Sequence, residues 1–499
     1  MLEVQNLSIY IGTRCLIKSL SFTLNKEDKM AIIGEEGNGK STLLKVLMHD
    51  FSYATVSGTI NTHGYKIGYL KQSLTCDELK KSVFEYLFTT EENYFNKINE
   101  FYQNLKLFHL SDSILEQKMH TLSGGEKVKI SLLKLLLEQN DLIFLDEPTN
   151  DLDIETLEWL ETFIKKSKMP ILFVSHDEVL LENTANKILH IEQLKRKQEC
   201  FVTVSKTNYS DYIQRRMENI EKQNEIVHKE MHECKEKEKR LARVLAKVEF
   251  DQRNVSRGDP HTARLLKKKM HSLKAQEKRL QKEEITEERQ TEEAIFLEFP
   301  PVKLPTKKII LDFSLPELKN ESRVLARSVE LRVVGNEHIG IIGKNGVGKT
   351  TLLKCIYQSL RKRPDLKVGY MPQDYEEVFS GYSSLLEFLT ESKDQEKNTL
   401  ARKYLGNMNF TSEEMLADFS KISNGMKAKL FFLKFILQEC NVLLLDEPTR
   451  NLSPLSTPII RQVLKNYTGV IISVSHDRKY LEEVTPVLYR LTVHGLEKI

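Results

Sequence analysis

The sequence has 499 residues, of which 40% are hydrophobic and 29% charged, and its net charge is +3. This length supports two or three domains with cores of their own, and the six widely separated cysteines have neither metal-binding spacing nor the density of a disulfide scaffold. No apolar run approaches the roughly 20 residues of a transmembrane helix, and the chain begins on a strand-like alternation instead of a secretory signal, so we expect a reduced, cytoplasmic protein that spans no membrane.

A glycine-rich loop follows the first continuous apolar run. Residues 34–41 read GEEGNGKS, between a β-branched run at 30–33 and a helical pattern at 42–47. In this strand–loop–helix context, backbone N–H groups surround phosphate oxygens, the lysine reaches the β- and γ-phosphates, and the hydroxyl binds Mg²⁺. The predicted ATP-binding residues here are Gly34, Gly37, Asn38, Gly39, Lys40, Ser41 and Thr42.

Two carboxylates follow the apolar run at 142–145. A buried parallel strand would place Asp146 where it orients the Mg²⁺ shell, and Glu147 where it polarises the attacking water. His176 follows another β-rich run at 171–174. A single histidine at a strand end is more often structural, but the arrangement occurs twice in the chain, and this favours a contact with the γ-phosphate.

A long helix is predicted next. Between about Tyr209 and Val248 there is no glycine or proline, and an apolar residue recurs every seven positions from Ile213 onward. This pattern is an apolar seam on a helix that reaches roughly 60 Å. Helix breakers at 251–260 precede a second helical pattern that continues to Ile285, which predicts an antiparallel helical hairpin.

The distal part of this hairpin is strongly basic. Residues 239–280 contain 13 lysines and arginines against 4 acids, an excess of nine. A solvated spacer explains the Glu-rich ends, whereas the basic stretch favours RNA, whose phosphates and 2′-hydroxyls are contacted without base sequence. The tip at about 250–261 and its flank carry the predicted RNA-contacting residues Phe250, Arg253, Val255, Arg257, Lys267, Lys268 and Lys269.

The C-terminal part of the chain repeats the pattern of the N-terminal part. Residues 343–350 read GKNGVGKT, and the apolar run at 442–445 again precedes two carboxylates. The predicted ATP-binding residues are Gly343, Asn345, Gly346, Gly348, Lys349, Thr350, Thr351 and, with its counterpart Asp146, Asp446; the predicted catalytic residues are Glu447 and His476, which match Glu147 and His176. Chance explains one such match more easily than two in the same context.

The segment LSGGE at 122–126 looks like the signature loop of ABC-type ATPases. The resemblance implies an α/β fold with two P-loop ABC-type ATPase domains joined by a long antiparallel helical hairpin, and hydrolysis of ATP to ADP and phosphate with Mg²⁺. It also implies that Gln72 and Gln373 bind Mg²⁺ together with Ser41 and Thr350, and that Tyr10 stacks on adenine. The implied ATP-contacting signature residues are Ser123, Gly124, Gly125, Ser423 and Gly425. In the second module Phe313 is either the stacking aromatic or a core strand residue.

ABC-type modules pair head to tail, so each ATP lies between the phosphate loop of one module and the signature of the other. We call the site of Lys40 site A and the site of Lys349 site B. Site B faces the intact signature. Site A faces the altered segment ISNGM at 422–426 and a second D-loop without the usual Asp at 451–453, and it carries Glu36 where the family usually has Asn. We therefore predict two unequal sites.

Tandem modules with a long linker and no membrane segment resemble the ABC-F family of translation proteins. The predicted domains are an ATPase module at 1–200, a linker at 201–300 and a second module at 301–499. The resemblance implies a monomer whose linker enters the exit-tRNA site of the ribosome and approaches the P-site tRNA, large-subunit rRNA and the peptidyl transferase centre.

Within that family, the short stretch 75–120 indicates that the arm insertion of the translation-throttle type is absent. The long tip is similar to the branch that protects ribosomes from lincosamides, streptogramin A and pleuromutilins. The alternatives are a general factor acting on stalled ribosomes and the ATPase subunit of a drug exporter. A coiled-coil protein similar to chromosome-organising ATPases is a third alternative, for which the hairpin is too short.

Overall fold

The computed structural model describes residues 2–88, 91–108, 110–149, 152–194, 199–254, 260–280, 297–302, 304–305, 307–320, 323–382, 384–390, 395–408, 410, 415, 419 and 422–499. The chain divides into two compact units. One comprises Met1–Tyr209 with Glu292–Ile499, and the other comprises Ser210–Thr291. The first unit holds both modules, and the second holds the linker helices.

The strands of the first module form two sheets. They are β1 Leu2–Ile11, β2 Arg14–Leu24, β3 Lys29–Ile33, β4 Thr55–Asn61, β5 Ile67–Leu70, β6 Leu142–Asp146, β7 Ile171–Val174, β8 Lys187–Leu194 and β9 Glu199–Ser205. A six-stranded sheet has the order β5-β6-β7-β3-β8-β9, and a three-stranded sheet has the order β2-β1-β4. Within this sheet the neighbouring strands β5, β6, β7, β3 and β8 are parallel to one another. Every residue of β3, β6 and β7 is buried. Burial on both faces explains why these strands are apolar throughout.

The second module repeats this plan. Its strands are β10 Ile309–Asn320, β11 Arg323–Val334, β12 His338–Ile342, β13 Val368–Met371, β14 Val442–Asp446, β15 Val470–Val474, β16 Val487–Thr492 and β17 Gly495–Lys498. The six-stranded sheet has the order β13-β14-β15-β12-β16-β17, which matches the first module strand for strand, and β10 pairs with β11. The predicted α/β fold with two P-loop domains is confirmed.

The helices of the modules follow the strands that carry the predicted motifs. In the first module they are α1 Lys40–Leu47, α2 Cys76–Lys80, α3 Val83–Leu87, α4 Glu91–Leu107, α5 Gly124–Leu137, α6 Ile154–Lys166 and α7 Glu178–Thr184, with short 3₁₀ helices at Asp112–Glu116 and Met119–Thr121. The linker helices are α8 Tyr209–Asn254 and α9 Pro260–Leu280. In the second module they are α10 Lys349–Leu360, α11 Glu376–Phe379, α12 Leu385–Thr390, α13 Gln395–Asn407, α14 Asn424–Leu437, α15 Thr457–Lys465 and α16 Arg478–Val484.

The apolar seam predicted for the linker coincides with the shielded positions of α8. Val227 and Val248 are buried, and the other heptad residues, Ile213, Ile220, Cys234 and Leu241, are partly buried. The helix continues to Asn254, beyond the predicted end of the seam. Residues 255–259, with Val255 and Arg257, lie outside the described part of the chain, and the antiparallel arrangement of the hairpin stays a prediction. Across the described ranges, no helix combines the length and the apolar character needed to cross a membrane.

Candidate active sites

The two phosphate loops have the same local structure. Each ends in a glycine with left-handed backbone, Gly39 at φ 91° and Gly348 at φ 102°, and the helix α1 or α10 begins directly after it. Lys40 Nζ donates to the carbonyl oxygens of Gly34 and Glu35 at 2.8 and 3.0 Å. Lys349 Nζ makes the equivalent bonds at 2.8 and 3.1 Å. Each lysine therefore closes its own loop and points its ammonium group into the phosphate cradle.

The strand β6 places a carboxylate beside the phosphate loop of site A. Ser41 Oγ donates to Asp146 Oδ1 at 3.0 Å, and Tyr69 OH donates to Asp146 Oδ2 at 3.3 Å. Burial raises the pKa of Asp146 to about 6, with the neighbouring Glu147 acting in the same direction. In site B, burial likewise raises the pKa of Asp446. A half-buried hydroxyl beside a buried carboxylate supplies the oxygen donors that Mg²⁺ prefers, so the residues present fit this ion.

The two predicted catalytic glutamates adopt the same uncommon backbone, with φ 50° at Glu147 and 53° at Glu447. In site A, Gln72 Nε2 donates to Glu147 Oε2 at 3.0 Å, and His176 Nε2 lies 3.2 Å from Glu147 Oε1. The structure therefore brings the glutamine, glutamate and histidine of this site together.

Site B holds its glutamate differently. His476 donates its backbone N–H to Glu447 Oε2 at 3.3 Å, and its ring Nε2 lies 3.7 Å from Glu447 Oε1. Burial, reinforced by Asp446, raises the pKa of Glu447 to about 8. Burial and Lys349 together lower the pKa of His476 to about 4. A carboxylate with a raised pKa is a stronger base, as general-base catalysis requires.

The two modules face each other across one cavity of about 1250 Å³. Its walls bring together predicted residues from both modules, namely Gly37, Gly39, Lys40, Ser41, Thr42, Gln72, Ser123, Gly124, Gly125, Glu147, His176, Asn345, Gly346, Gly348, Lys349, Thr350, Thr351, Gln373, Asp446, Glu447 and His476. A direct bond also crosses between the modules, because His176 Nδ1 lies 2.7 Å from the carbonyl oxygen of Leu452 in the second D-loop. This is the head-to-tail pairing that the ABC-type resemblance implies.

Several predicted ATP-binding residues are not cavity walls. Gly34, Asn38, Asp146, Gly343, Ser423 and Gly425 lie behind or beside the lining residues. Asn38 is buried, and its side-chain amide donates to the carbonyl oxygen of Ile191 at 3.0 Å. This bond ties the side chain of Asn38 to strand β8 and stabilises the loop from behind, and the contact of Asn38 with ATP stays a prediction.

The aromatic residues predicted for adenine stacking do not line this cavity. Tyr10 does not line the cavity, whereas its neighbour Ile11 does. Side chains alternate along a strand, so neighbouring residues point to opposite faces. Phe313 pairs with Leu331 in the β10–β11 ribbon and packs against the core, which resolves it as a core strand residue. The cavity walls at these positions are Ile11, Arg14 and Leu16 in site A, and Asn320, Arg323 and Leu325 in site B.

Two adjacent carboxylates of the first phosphate loop contact the second module. Glu36 Oε2 accepts a hydrogen bond from the backbone N–H of Gly425 in the second signature. Glu35 Oε1 accepts from Ser453 Oγ at 2.7 Å and from Ser456 Oγ, and Lys429 Nζ lies 3.5 Å from Glu35 Oε2. Burial opposes ionisation of Glu35, but Lys429 and the two hydroxyls outweigh it and hold the pKa below its usual value. Sequence reasoning flagged Glu36 but missed Glu35.

Several ion pairs join the modules beyond the nucleotide sites, among them those of Arg461, Arg478 and Lys479, and sequence reasoning missed them. Arg461 forms a bidentate pair with Glu178 at 2.5 and 3.1 Å, and both side chains are buried. Arg478 donates to Glu161. Glu161 and Glu178 belong to the first module, and the arginines occupy the positions 300 residues later in the second. The signal was present in the sequence as opposite charges at matching positions of a repeat.

Comparison with known proteins agrees with this architecture. The family model described as "ABC transporter" matches residues 17–150 and 326–450. The chain is 27% identical to "Putative ATP-binding protein YdiF" of Bacillus subtilis, over 100% of this chain and 81% of the relative. It is 30% identical to "ABC transporter F family member 5" of Arabidopsis thaliana, over 72% of this chain and 50% of the relative.

Solved structures with two such modules share the fold. "RNase-L Inhibitor" superimposes with a TM-score of 0.60 at 17% identity, over 99% of this chain and 90% of that one. The archaeal ribosome recycling factor ABCE1 in complex with a ribosomal stalk protein superimposes with a TM-score of 0.59 at 17% identity, over 97% of this chain and 88% of that one. The family match over both modules shows that the chain belongs to the ABC transporter family, and with its paired phosphate loops and acidic strand ends it is a tandem ATPase that binds and hydrolyses ATP.

Proposed function

We propose that this ATPase binds the ribosome when ATP closes its modules, and that its linker enters through the exit-tRNA site toward the peptidyl transferase centre. There it protects translation from antibiotics of the lincosamide, streptogramin A and pleuromutilin classes. The observation that carries the proposal is the pairing of two ATPase modules with helices of 46 and 21 residues whose distal part is basic. The expected contacts are large-subunit rRNA and the P-site tRNA.

The charge of the linker supports RNA as the partner. Lys267, Lys268 and Lys269 are all exposed on α9, and Arg253 is exposed near the end of α8. Exposed cations on a helix attract phosphates by releasing counterions, and this attraction carries no base specificity. Phe250 adds an aromatic ring that is 67% exposed, and such a ring is suited to stacking on an unpaired base.

Related proteins support the same placement. Two Arabidopsis relatives are named members of the ABC transporter F family. A further tandem ATPase of this fold is described as ABCE1 in a model of ribosome-bound archaeal Pelota, with a TM-score of 0.57 and 18% identity, over 96% of this chain and 75% of that one. These relatives favour a ribosomal partner over a membrane transporter, which needs no basic linker.

The hydrolytic step follows from the side chains of site B. Lys349 binds the β- and γ-phosphates, Glu447 accepts a proton from the attacking water, and His476 contacts the γ-phosphate. Mg²⁺, bound through Thr350, Asp446 and Gln373, would neutralise charge on the phosphates. ATP favours the closed pair of modules and the ribosome selects that form, so hydrolysis releases the protein.

A general role on stalled ribosomes is the second candidate function. Nothing in the two modules separates it from drug protection, since both require ATP-dependent ribosome binding. The ATPase subunit of a drug exporter is a third candidate, which predicts no ribosome binding. Sedimentation with ribosomes, with and without ATP, tests the third candidate, because a protein that stays in the supernatant under both conditions contradicts the proposal.

The tip separates the first two candidates. Replacing residues 250–261 with a short turn should abolish rescue of drug-inhibited cell-free translation, while ATP-dependent binding survives in a variant that also carries Glu147→Gln and Glu447→Gln. Full rescue by the tip variant would place the activity elsewhere and favour the general role.

The basic flank is tested by salt dependence. Changing Lys267, Lys268 and Lys269 to Gln should weaken ribosome binding and flatten its dependence on salt, because fewer counterions are released. The matched control changes Lys229, Lys235 and Lys237, which lie among acids on α8 outside the basic stretch. An equal effect of both triplets would make this cluster an ordinary solvated face.

A further inference from the structure

The signature helix α14 has lost the carboxylate that caps its counterpart α5. At α5, Ser123 and Glu126 form a reciprocal capping box. At α14, Ser423 still accepts a bond from the backbone N–H of Met426, but the methionine has replaced the glutamate and the first turn holds no acid. The N-terminus of α14 therefore presents backbone donors and positive potential without a negative group of its own helix.

A carboxylate of the opposite module fills that position. Glu36 Oε2 accepts the backbone N–H of Gly425, the second residue of α14. The approach is close, because a Cβ atom on Gly425 would lie 3.2 Å from this oxygen. In ABC-type pairs this end of the signature helix faces the phosphates of the nucleotide on the other module. Glu36 thus places a negative oxygen on a donor that faces the phosphates.

The neighbouring residue holds Glu36 in place. Glu35 is bonded to Ser453 and Ser456 and pairs with Lys429, and both partners of this ion pair are largely buried. The first phosphate loop is therefore fastened to the second module by two consecutive carboxylates and through groups of the protein alone. At site B the matching residues are Lys344 and Asn345, which bring no carboxylate.

We propose that Glu36 acts as a built-in substitute for the terminal phosphate at site A. It occupies the anion-accepting end of the second signature helix, so the two modules are joined on this side without nucleotide. Site A then gains little from a γ-phosphate and binds ADP about as well as ATP. Site B, with Asn345 and an intact signature, prefers the triphosphate and opens when it is hydrolysed. The protein stays hinged at site A while site B opens and closes.

Amide hydrogen exchange on the nucleotide-free full chain tests the contact directly. The amides at 424–426 should be protected in the wild type, and Glu36→Asn should remove at least tenfold of that protection. The matched segment at 124–126 is the internal control, and it should gain protection only when ATP is added to a Glu447→Gln variant. Equal exchange at 424–426 with and without Glu36 would overturn the proposal.

Nucleotide preference tests the consequence. In a Lys349→Ala background only site A binds nucleotide, and fluorescent ATP and ADP should bind with similar affinity. Adding Glu36→Asn should favour ATP by about tenfold, because a charge-assisted bond to the γ-phosphate becomes available. Asn345→Glu in a Lys40→Ala background is the reciprocal change and should reduce the ATP preference of site B. An ATP preference at site A that does not depend on Glu36 would contradict the proposal.

The two tests separate this proposal from the function on the ribosome. Neither test uses ribosomes, so the role of Glu36 at site A can be confirmed or contradicted independently of the proposed drug protection.

Discussion

Sites A and B are built from the same elements at matching positions, yet they differ in where a negative charge lies. At site B the charge belongs to the D-loop: Asp153 pairs with Lys129 of its own module at 3.0 Å and acts on Lys349 across the interface. At site A the matching D-loop residue is Ser453, and the charge belongs to Glu35 of the opposite phosphate loop. The lysine that matches Lys129, Lys429, turns to that glutamate across the interface.

The departures of site A from site B are linked. Loss of the acid at Ser453 would leave Lys429 without its partner inside the module, and the gain of Glu35 supplies one from outside. Loss of the capping glutamate at Met426 is matched in the same way by Glu36. The altered signature is therefore half of an interface whose other half lies in the first phosphate loop.

The largest expected effect separates the two catalytic glutamates. Glu447→Gln should lower single-turnover ATP hydrolysis about 100-fold or more, because removal of a general base has this magnitude. Glu147→Gln should lower it far less, since site A faces a signature helix occupied by Glu36. Rapid-quench measurements on ribosomes with limiting ATP compare the two variants. Equal residual rates would remove the catalytic difference between the sites.

Features set by local spacing could be predicted from the sequence, whereas contacts between distant residues could not. The phosphate loops, the acidic strand ends and the apolar seam of α8 were predictable because each is set by local spacing. The choice between Tyr10 and Ile11 could not be made from the sequence because it depends on which face of a strand turns to the cavity. Glu35 was missed because its partners Lys429, Ser453 and Ser456 lie 394 to 421 residues away and meet it only when the modules pair.

The next prediction concerns the charges that hold the two modules together. The ion pairs between the modules beyond the nucleotide sites place the acids on the first module and the cations on the second, so two copies of either module would oppose like charges. Arg461→Glu with Arg478→Glu should weaken the pairing by about 3–5 kcal/mol, the cost of leaving buried charges uncompensated. Adding Glu161→Arg and Glu178→Arg should restore part of it by reversing both arginine pairs, because Lys479 beside position 178 and Glu483 beside position 461 keep their charges.

A distance measurement checks this charge pattern. Spin labels on exposed helix positions of the two modules should lie farther apart in the double variant, and their distance should move back toward the wild-type value in the quadruple variant. Fluorescence-detected melting shows whether each variant is folded. A quadruple variant that remains open while folded would show that charge reversal does not govern how the modules recognise each other.

The smallest expected effect concerns the D-loop. Ser453→Asp restores the acid that site B has at Asp153. It places this acid beside Glu35, whose Oε1 lies 2.7 Å from Ser453 Oγ in the wild type. Two carboxylates at that distance cannot both ionise without cost, so this single change should loosen site A by about 1–3 kcal/mol, the cost of a disrupted buried contact.

Glu35→Lys alone should loosen site A as well, because Lys429 then faces another cation. Together the two changes reproduce the lysine and aspartate of site B and should recover most of the loss. A double-mutant cycle on amide protection at 424–426 measures the coupling. If the losses caused by the two single changes simply add in the double variant, Glu35 and Ser453 do not act together at site A. Recovery in the double variant would show that the two positions are coupled.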